Sequence, residues 1–220
     1  MNNEVLFFVS LIAAFTAVVM AHKFFGKEGL FAWIAVATIL ANILVTKQIR
    51  LFGLDATMGN IMFASIYLCT DILSEIQGIQ QSKKAIRIGL CAALLFVAVS
   101  QSAILFQPNK MDIISEPMAE LFAMSARTTI ASVTMFYLAN LADIYLFERL
   151  KQKYPDALWL RNNVSTILCN CAENFLFIIA AFIGTYSLAD CIVIAATTSV
   201  IEMIVAVCDT PFLYAARKIK

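Results

Sequence analysis

The chain has 220 residues, of which 61% are hydrophobic and 14% charged, and its formal net charge is +1. Soluble domains are about half apolar and a quarter charged, so a soluble fold of this size could not bury so much apolar surface. The composition therefore predicts an integral membrane protein with a single membrane domain over residues 1–220. The sequence has no basic run and no basic residues interleaved with aromatics, which argues against nucleic-acid binding.

Apolar segments recur along the whole chain, and most are close to the length of about 20 residues that a helix needs to cross a bilayer. Turn-forming residues such as Gly26, Gly53, Gly78 and Pro108 separate them. We predict an all-α, polytopic fold of about seven transmembrane helices. The predicted spans are 4–22, 29–48, 57–77, 85–107, 118–148, 163–184 and 188–216. The fifth and seventh are long enough to tilt, to kink or to begin as interfacial helices.

The basic residues are distributed unevenly between the two sides of this topology. Lys47, Arg50 and Lys110 fall on one side, and Arg127 falls within a span. Most of the 16 Lys and Arg residues fall on the other side: Lys23, Lys27, Lys83, Lys84, Arg87, Arg149, Lys151, Lys153, Arg161, Arg217, Lys218 and Lys220. By the positive-inside rule, the amino terminus is predicted outside and the carboxyl terminus in the cytoplasm.

The six cysteines all fall inside apolar runs and form no CxxC pair. We interpret them as small packing residues, so neither a metal site nor a cofactor is predicted. Alanines repeat every fourth residue at Ala13, Ala17 and Ala21, a pattern that lets helices approach closely. That stripe suits internal packing, and it would also suit a partner helix or a homo-oligomer.

Several ionisable side chains lie within the predicted spans, where each costs about 3 kcal/mol unless it faces a partner or water. Helical spacing places them on three polar faces. These are Tyr67, Asp71 and Glu75; Asn140 and Asp143; and Asn170, Glu173 and Asn174, with Thr166 one turn earlier.

Such faces predict a polar pathway with a solute-binding role for Asp71, Asn140 and Glu173. Interhelical hydrogen bonding is the alternative, and it is at least equally favoured for Glu75, Asp143, Glu202 and Asp209. Arg127 would either neutralise a carboxylate, the slightly favoured role, or hold an electronegative group of the substrate.

Several segments resemble the queuosine precursor transporter family, also called the vitamin uptake transporter family. They are FGKEGLFAWIAVATILANILVTKQIRLFG from residue 25, ATMGNIMFASIYLCTDILSEIQG (56–78), RTTIAS (127–132), NLAD (140–143), LWLRNNVST (158–166) and CDTPFLYAAR (208–217). The sequence departs from the family pattern at residues 77–82, at Asn140, and at Glu173 and Asn174, where the family usually has Asp and Thr. The last departure bears on the exact substrate, because a pocket that hydrogen-bonds its ligand is sensitive to such changes.

The resemblance implies import of a deazapurine, such as 7-cyano- or 7-aminomethyl-7-deazaguanine, across a prokaryotic plasma membrane for tRNA queuosine modification. Together with the polar faces, it gives our predicted substrate-binding set: Asp71, Asn140, Asn170, Glu173, Asn174 and Tyr67. We expect Arg127, Asp143 and Glu75 to support the site or to form ion pairs. The alternative is a substrate-binding membrane subunit of an ATP-driven vitamin uptake complex. An enzyme is not expected, because the sequence shows no nucleophile with its base and no phosphate loop.

Overall fold

The computed structural model describes residues 2–123, 126–182, 184 and 187–219, with the side chains of 126–128 excluded. Its elements are α1 (Asn3–Leu44), β1 (Gln48–Leu51), β2 (Leu54–Thr57), α2 (Gly59–Ile76), α3 (Ile79–Ile104), α4 (Ser115–Phe122), α5 (Ala126–Lys153), α6 (Leu158–Phe182) and α7 (Leu188–Arg217). Within the described residues, five helices are long and apolar enough to cross a membrane, namely α1, α3, α5, α6 and α7. The predicted helical, multi-pass membrane fold is confirmed at this level.

Helix α1 consists of two halves that meet at Gly26, whose backbone is non-helical, with φ +58° and ψ −140°. The Asn3 side chain donates a hydrogen bond to the Arg50 carbonyl (3.4 Å), and the Phe52 amide donates one to Glu4 (3.0 Å). The start of the first half therefore lies beside the segment that follows the second half. The two halves run antiparallel, and they correspond to the first two predicted spans.

The tight turn in α1 depends on Gly29, and its replacement is our first testable prediction. A Cβ atom at this position would lie 2.4 Å from the Ala21 carbonyl oxygen, an atom of the backbone that cannot rotate away. We expect Gly29→Ala to destabilise the protein by about 1–3 kcal/mol, the usual cost of overpacking. Thermal unfolding in detergent checks this. Ala32→Val, at an exposed position of the same half, is the control and should leave the unfolding temperature unchanged.

A β-hairpin that the sequence analysis did not predict follows α1. Strand β1 pairs antiparallel with β2, and Phe52 and Gly53, both with positive φ, form the two-residue turn. The predicted second span, 29–48, is therefore too long, since the helix ends at Leu44. Leu51 and Ala56 are buried whereas Arg50 and Asp55 are more exposed, an alternation typical of a strand that a hydropathy window averages away.

The fifth predicted span, 118–148, also differs from the structure. Helix α4 ends at Phe122 and α5 begins at Ala126, so the segment is divided between a short helix and a long one. Residues 124 and 125 lie outside the described part of the chain. The long apolar stretch thus begins as a separate eight-residue helix, one of the options that its length left open.

Helix α6 is packed against α5 on one side and α7 on the other, and α2 is packed against α1, α3, α5 and α7. Helices α2 and α6 are linked mainly through side chains rather than through close backbone contact. The interior between them is polar, in contrast to the apolar core that α1, α2 and α7 share. This polar layer holds the candidate site.

Candidate functional site

One face of α6 carries a polar side chain at almost every turn. Asn162, Thr166 and Asn170 follow one another at intervals of four residues, and Glu173 and Asn174 continue the stripe. Side chains four residues apart lie on one face of a helix, so a single stripe meets the neighbouring helices. Its contacts reach α2, α5 and α7.

The carboxyl-terminal part of this stripe contributes to what we call the Glu173 cluster: Tyr67, Glu173, Asn174, Ser199 and Glu202. The Tyr67 hydroxyl donates to Glu173 Oε2 at 2.8 Å. The Asn174 amide donates to Glu202 Oε2 at 2.7 Å and lies 3.2 Å from the Ser199 hydroxyl. Glu173 and Glu202 are half-buried residues, whereas Tyr67 and Ser199 are buried.

The amino-terminal part of the stripe contributes to what we call the Asp71 cluster: Asp71, Asp143, Thr166, Asn162 and Asp209. All five side chains are buried, each at most 2% exposed. The Thr166 hydroxyl lies 3.5 Å from Asp71 Oδ2 and 3.3 Å from Asp143 Oδ1. The Asn162 amide donates to Asp209 Oδ1 at 2.5 Å. Three carboxylates from α2, α5 and α7 thus meet the stripe of α6.

Glu75 lies at the end of α2 and is the centre of what we call the Glu75 network. Its carboxylate contacts Arg161 at 2.7 Å, Arg217 at 3.3 Å and Lys151 at 3.4 Å. Arg161 also donates to the carbonyls of Tyr154 and Pro155. The network joins the ends of α2, α5, α6 and α7. Glu75 forms ion pairs there, apart from the two clusters.

The remaining predicted site residues occupy distinct positions. Asn140 is buried on α5 and donates to the Phe136 carbonyl at 2.8 Å. Asn170 is buried on α6, between Thr166 and Glu173. The side chain of Arg127 lies outside the described residues, so its predicted role stays a prediction. Arg127 and Asp143 are 16 residues apart on α5, about 24 Å along the helix, so Arg127 is near its start and Asp143 well inside it.

Five buried oxygen atoms in and beside the Asp71 cluster have no hydrogen-bond partner among the residues that the structure describes. They are Asp71 Oδ1, Asn140 Oδ1, Asp143 Oδ2, Asn162 Oδ1 and Asn170 Oδ1. Each is an acceptor, and leaving a buried acceptor unpaired costs about 1–3 kcal/mol. This part of the interior therefore favours a species that brings hydrogen-bond donors.

Two hollows are found elsewhere in the described part of the chain. One, of about 20 Å³, is lined by residues that include Asn42, Ser100 and Gln101. The other, of about 580 Å³, is an open apolar groove between α5 and α6 that contains Met135 and Ala180. Neither hollow contains a predicted site residue. No group of three His, Cys, Asp or Glu side chains among the described residues is arranged to hold a metal ion.

Sequence reasoning missed two members of these clusters. Asn162 was not singled out, although its spacing of four from Thr166 extends the polar stripe by one turn. Ser199 was missed as well, and only its position three residues before Glu202 could have suggested it. Glu202 and Asp209 were recognised as ionisable residues but left out of the predicted site. The structure brings both of them to the stripe of α6.

Comparisons of the sequence with known proteins identify its family. Residues 57–216 match the family model described as "Putative vitamin uptake transporter". A "Probable queuosine precursor transporter" of Bacillus subtilis is 35% identical over 99% of this chain and 95% of its own length. A "Queuosine precursor transporter" of Escherichia coli is 28% identical over 64% of this chain and 62% of its own length. No solved structure matches the chain.

The matched segment contains the described residues of both clusters and of the Glu75 network, apart from Arg217, which follows it directly. The Bacillus subtilis relative extends the match to nearly the whole chain, including α1 and the hairpin. The matched descriptions name transporters, and none names a subunit of a larger complex. They therefore do not favour our alternative, a substrate-binding subunit of an ATP-driven vitamin uptake complex. The chain therefore belongs to the vitamin uptake transporter family, a family of transporters and not of enzymes.

Proposed function

We propose that this protein imports a queuosine precursor, such as 7-cyano- or 7-aminomethyl-7-deazaguanine, across a prokaryotic plasma membrane. The observation that carries the proposal is the set of unpaired, buried oxygen acceptors that extends from Asp71 and Asn140 to Asn170. The names of two matched relatives supply the substrate class. The clusters supply the chemistry that such a substrate needs.

A deazaguanine presents a ring N–H beside an exocyclic amine, which are two donors pointing in the same direction. One carboxylate accepts both, because its two oxygens are spaced for a bidentate pair. Glu173 is the best placed carboxylate, since it is partly accessible and Tyr67 fixes one of its oxygens. Asn170, Asn174, Asn140 and Asp71 would meet the remaining polar atoms of the base.

The proposed topology has seven passes, with the two halves of α1 counted separately and α2 included. Helix α2 separates the hairpin from the Glu75 network by 18 residues, about 27 Å, which is close to the thickness of the hydrocarbon core. The Glu75 network gathers Lys151, Arg161 and Arg217 at one end of the helices. By the positive-inside rule, that end would face the cytoplasm and the hairpin would lie outside.

Whole-cell uptake of labelled 7-cyano-7-deazaguanine tests the proposal. In a bacterium that neither makes this compound nor imports it, expression of the intact chain should restore uptake and queuosine in tRNA. Excess unlabelled adenine serves as the control, because its edge lacks the paired donors of guanine. It should not compete with the uptake of labelled 7-cyano-7-deazaguanine. If the expressed protein reaches the membrane and takes up no deazaguanine, the proposed function is wrong.

A further inference from the structure

The Thr166 hydroxyl lies between two buried carboxylates that belong to different helices. Its oxygen is 3.5 Å from Asp71 Oδ2 on α2 and 3.3 Å from Asp143 Oδ1 on α5. A hydroxyl has a single proton, so it donates to one of the two carboxylates at a time. If both carboxylates were ionised, the other would face the lone pairs of the hydroxyl with its negative charge unpaired.

One additional proton removes this conflict. If Asp143 is protonated, its O–H donates to Thr166, and the Thr166 hydroxyl then donates to Asp71. Every oxygen along this line is satisfied, and the pair holds one negative charge instead of two. The oxygen Asp71 Oδ1 remains as an acceptor, since it is buried and has no hydrogen-bond partner among the described residues.

The charged groups closest to the pair are acidic, and the described cations at the ends of the neighbouring helices, Lys151, Arg161 and Arg217, are paired with Glu75. Asp209 on α7 and Glu75 on α2 are its acidic neighbours, and the thiols of Cys69 and Cys169 and the phenol of Tyr67 are close by. Among the described residues, Trp33 of α1 and Ser82 of α3 donate side-chain hydrogen bonds to α2, and neither titrates. Lys83 and Lys84 of α3 lie over the rings of Tyr145 and Phe31 instead. Arg161, although it is on α6, points its guanidinium group at Glu75.

A buried amide gives a second indication that a donor belongs here. Asn162 is fully buried, and its Nδ2 already donates to Asp209, yet its Oδ1 has no partner. A metal ion needs several ligands around it. It is not favoured here, because no group of three His, Cys, Asp or Glu side chains in the described part of the chain could hold one. A proton needs only two oxygens in line with the hydroxyl.

We propose that Asp71, Thr166 and Asp143 form a proton-binding site, and that its one shared proton crosses the membrane together with the substrate. The proposal rests on the proposed import function and assigns the ion that drives it. When the site is loaded, Asp143 holds the proton and Asp71 stays ionised, with its free oxygen directed to a donor of the base. When the proton leaves, the two carboxylates repel each other and compete for the single Thr166 proton, which displaces Asp71 from the position in which it meets the base and so weakens binding. Uptake is then driven by the inward proton gradient.

Purified protein in liposomes tests this inference. Wild type is expected to bind 7-cyano-7-deazaguanine about tenfold more weakly per pH unit as one linked proton is lost. It should accumulate the substrate against its gradient when the outside is acidified. Asp143→Asn, which carries a permanent donor at this position, should lose both the accumulation and the pH dependence. Thr166→Val should also lose them, Thr166→Ser should keep them, and Asp156→Asn, an exposed carboxylate, is the matched control.

Infrared difference spectra recorded between acidic and alkaline pH give a readout that needs no substrate. One C=O band of a protonated carboxyl group in the wild-type spectrum should be missing from the Asp143→Asn spectrum, in which the bands of the other carboxyl groups remain. Transport that ignores the proton gradient, together with wild-type pH dependence in Asp143→Asn, overturns the proton site and leaves the import function standing. If no deazaguanine is transported, the import function fails, and a wild-type spectrum without the band overturns the proton site separately.

Discussion

Glu173→Gln is expected to lower the binding and uptake of 7-cyano-7-deazaguanine about a hundredfold or more. The substitution keeps the size of the side chain, removes its charge and replaces one acceptor oxygen with a donor NH₂ group. Two hydrogen bonds from the base to a carboxylate contribute about 1.5–3 kcal/mol each, and 1.4 kcal/mol corresponds to a factor of ten. Equilibrium binding to the purified protein, with uptake measured in parallel, gives the loss directly.

Glu202→Gln is the matched control, because the same chemical change is made in the same cluster. Glu202 accepts a hydrogen bond from Asn174 at 2.7 Å, and the carbonyl of a glutamine would accept it as well. We expect a loss of about tenfold or less. If Glu202→Gln abolished binding while Glu173→Gln had no effect, the recognition carboxylate would be Glu202, and our assignment would be wrong.

Glu75→Gln is expected to destabilise the folded protein by about 3–5 kcal/mol, the cost of breaking a buried ion pair by removing one partner. Arg161 is 1% exposed and would keep its charge without the carboxylate that balances it. Lys151 and Arg217 would lose the same partner. Thermal unfolding in detergent and the yield of monodisperse protein measure the effect.

Glu120→Gln, on the exposed face of α4, makes the same change outside the network and should leave the stability as it is. The double variant Glu75→Gln with Arg161→Met removes both buried charges and should recover part of the loss. If Glu75→Gln unfolded at the wild-type temperature, the network would contribute nothing to stability. The loss of three contacts at once makes this the largest effect on stability that we expect.

The network also has a mechanical consequence for the transporter. It joins the ends of four helices at one side of the protein, just beyond the Asp71 cluster. Lys151 strengthens this junction, because its ammonium group donates to the carbonyls of Ser74 and Glu75 at the end of α2. A substrate leaving toward that side would have to pass these contacts.

Periodicity correctly placed several of the predicted site residues on one face of a helix. The spacing of Tyr67, Asp71 and Glu75 predicted a single polar face on one helix, and in α2 their side chains all meet groups of α6. Periodicity could not show that the three side chains belong to three separate sets of contacts. Tyr67 joins the Glu173 cluster, Asp71 shares Thr166 with Asp143, and Glu75 pairs with cations at the helix ends.

The hairpin and the divided fifth span show a second limit. Hydropathy averaged over about 20 residues detects membrane spans because lipid selects for length and apolarity. It does not detect a pair of four-residue strands, in which apolar and polar residues alternate. It also does not detect where a long apolar stretch changes from one helix to the next, as between Phe122 and Ala126.

The sequence by itself determined the class of protein, the approximate limits of most helices and most of the polar residues that lie within the apolar helices. Those features follow from local composition and from the period of a helix, and both can be read along the chain. Only the tertiary structure decided the partners of each polar residue, because contacts such as Asp71 with Thr166 join residues 95 positions apart. Hydrogen bonding and charge pairing depend on distances across helices, which no local pattern specifies.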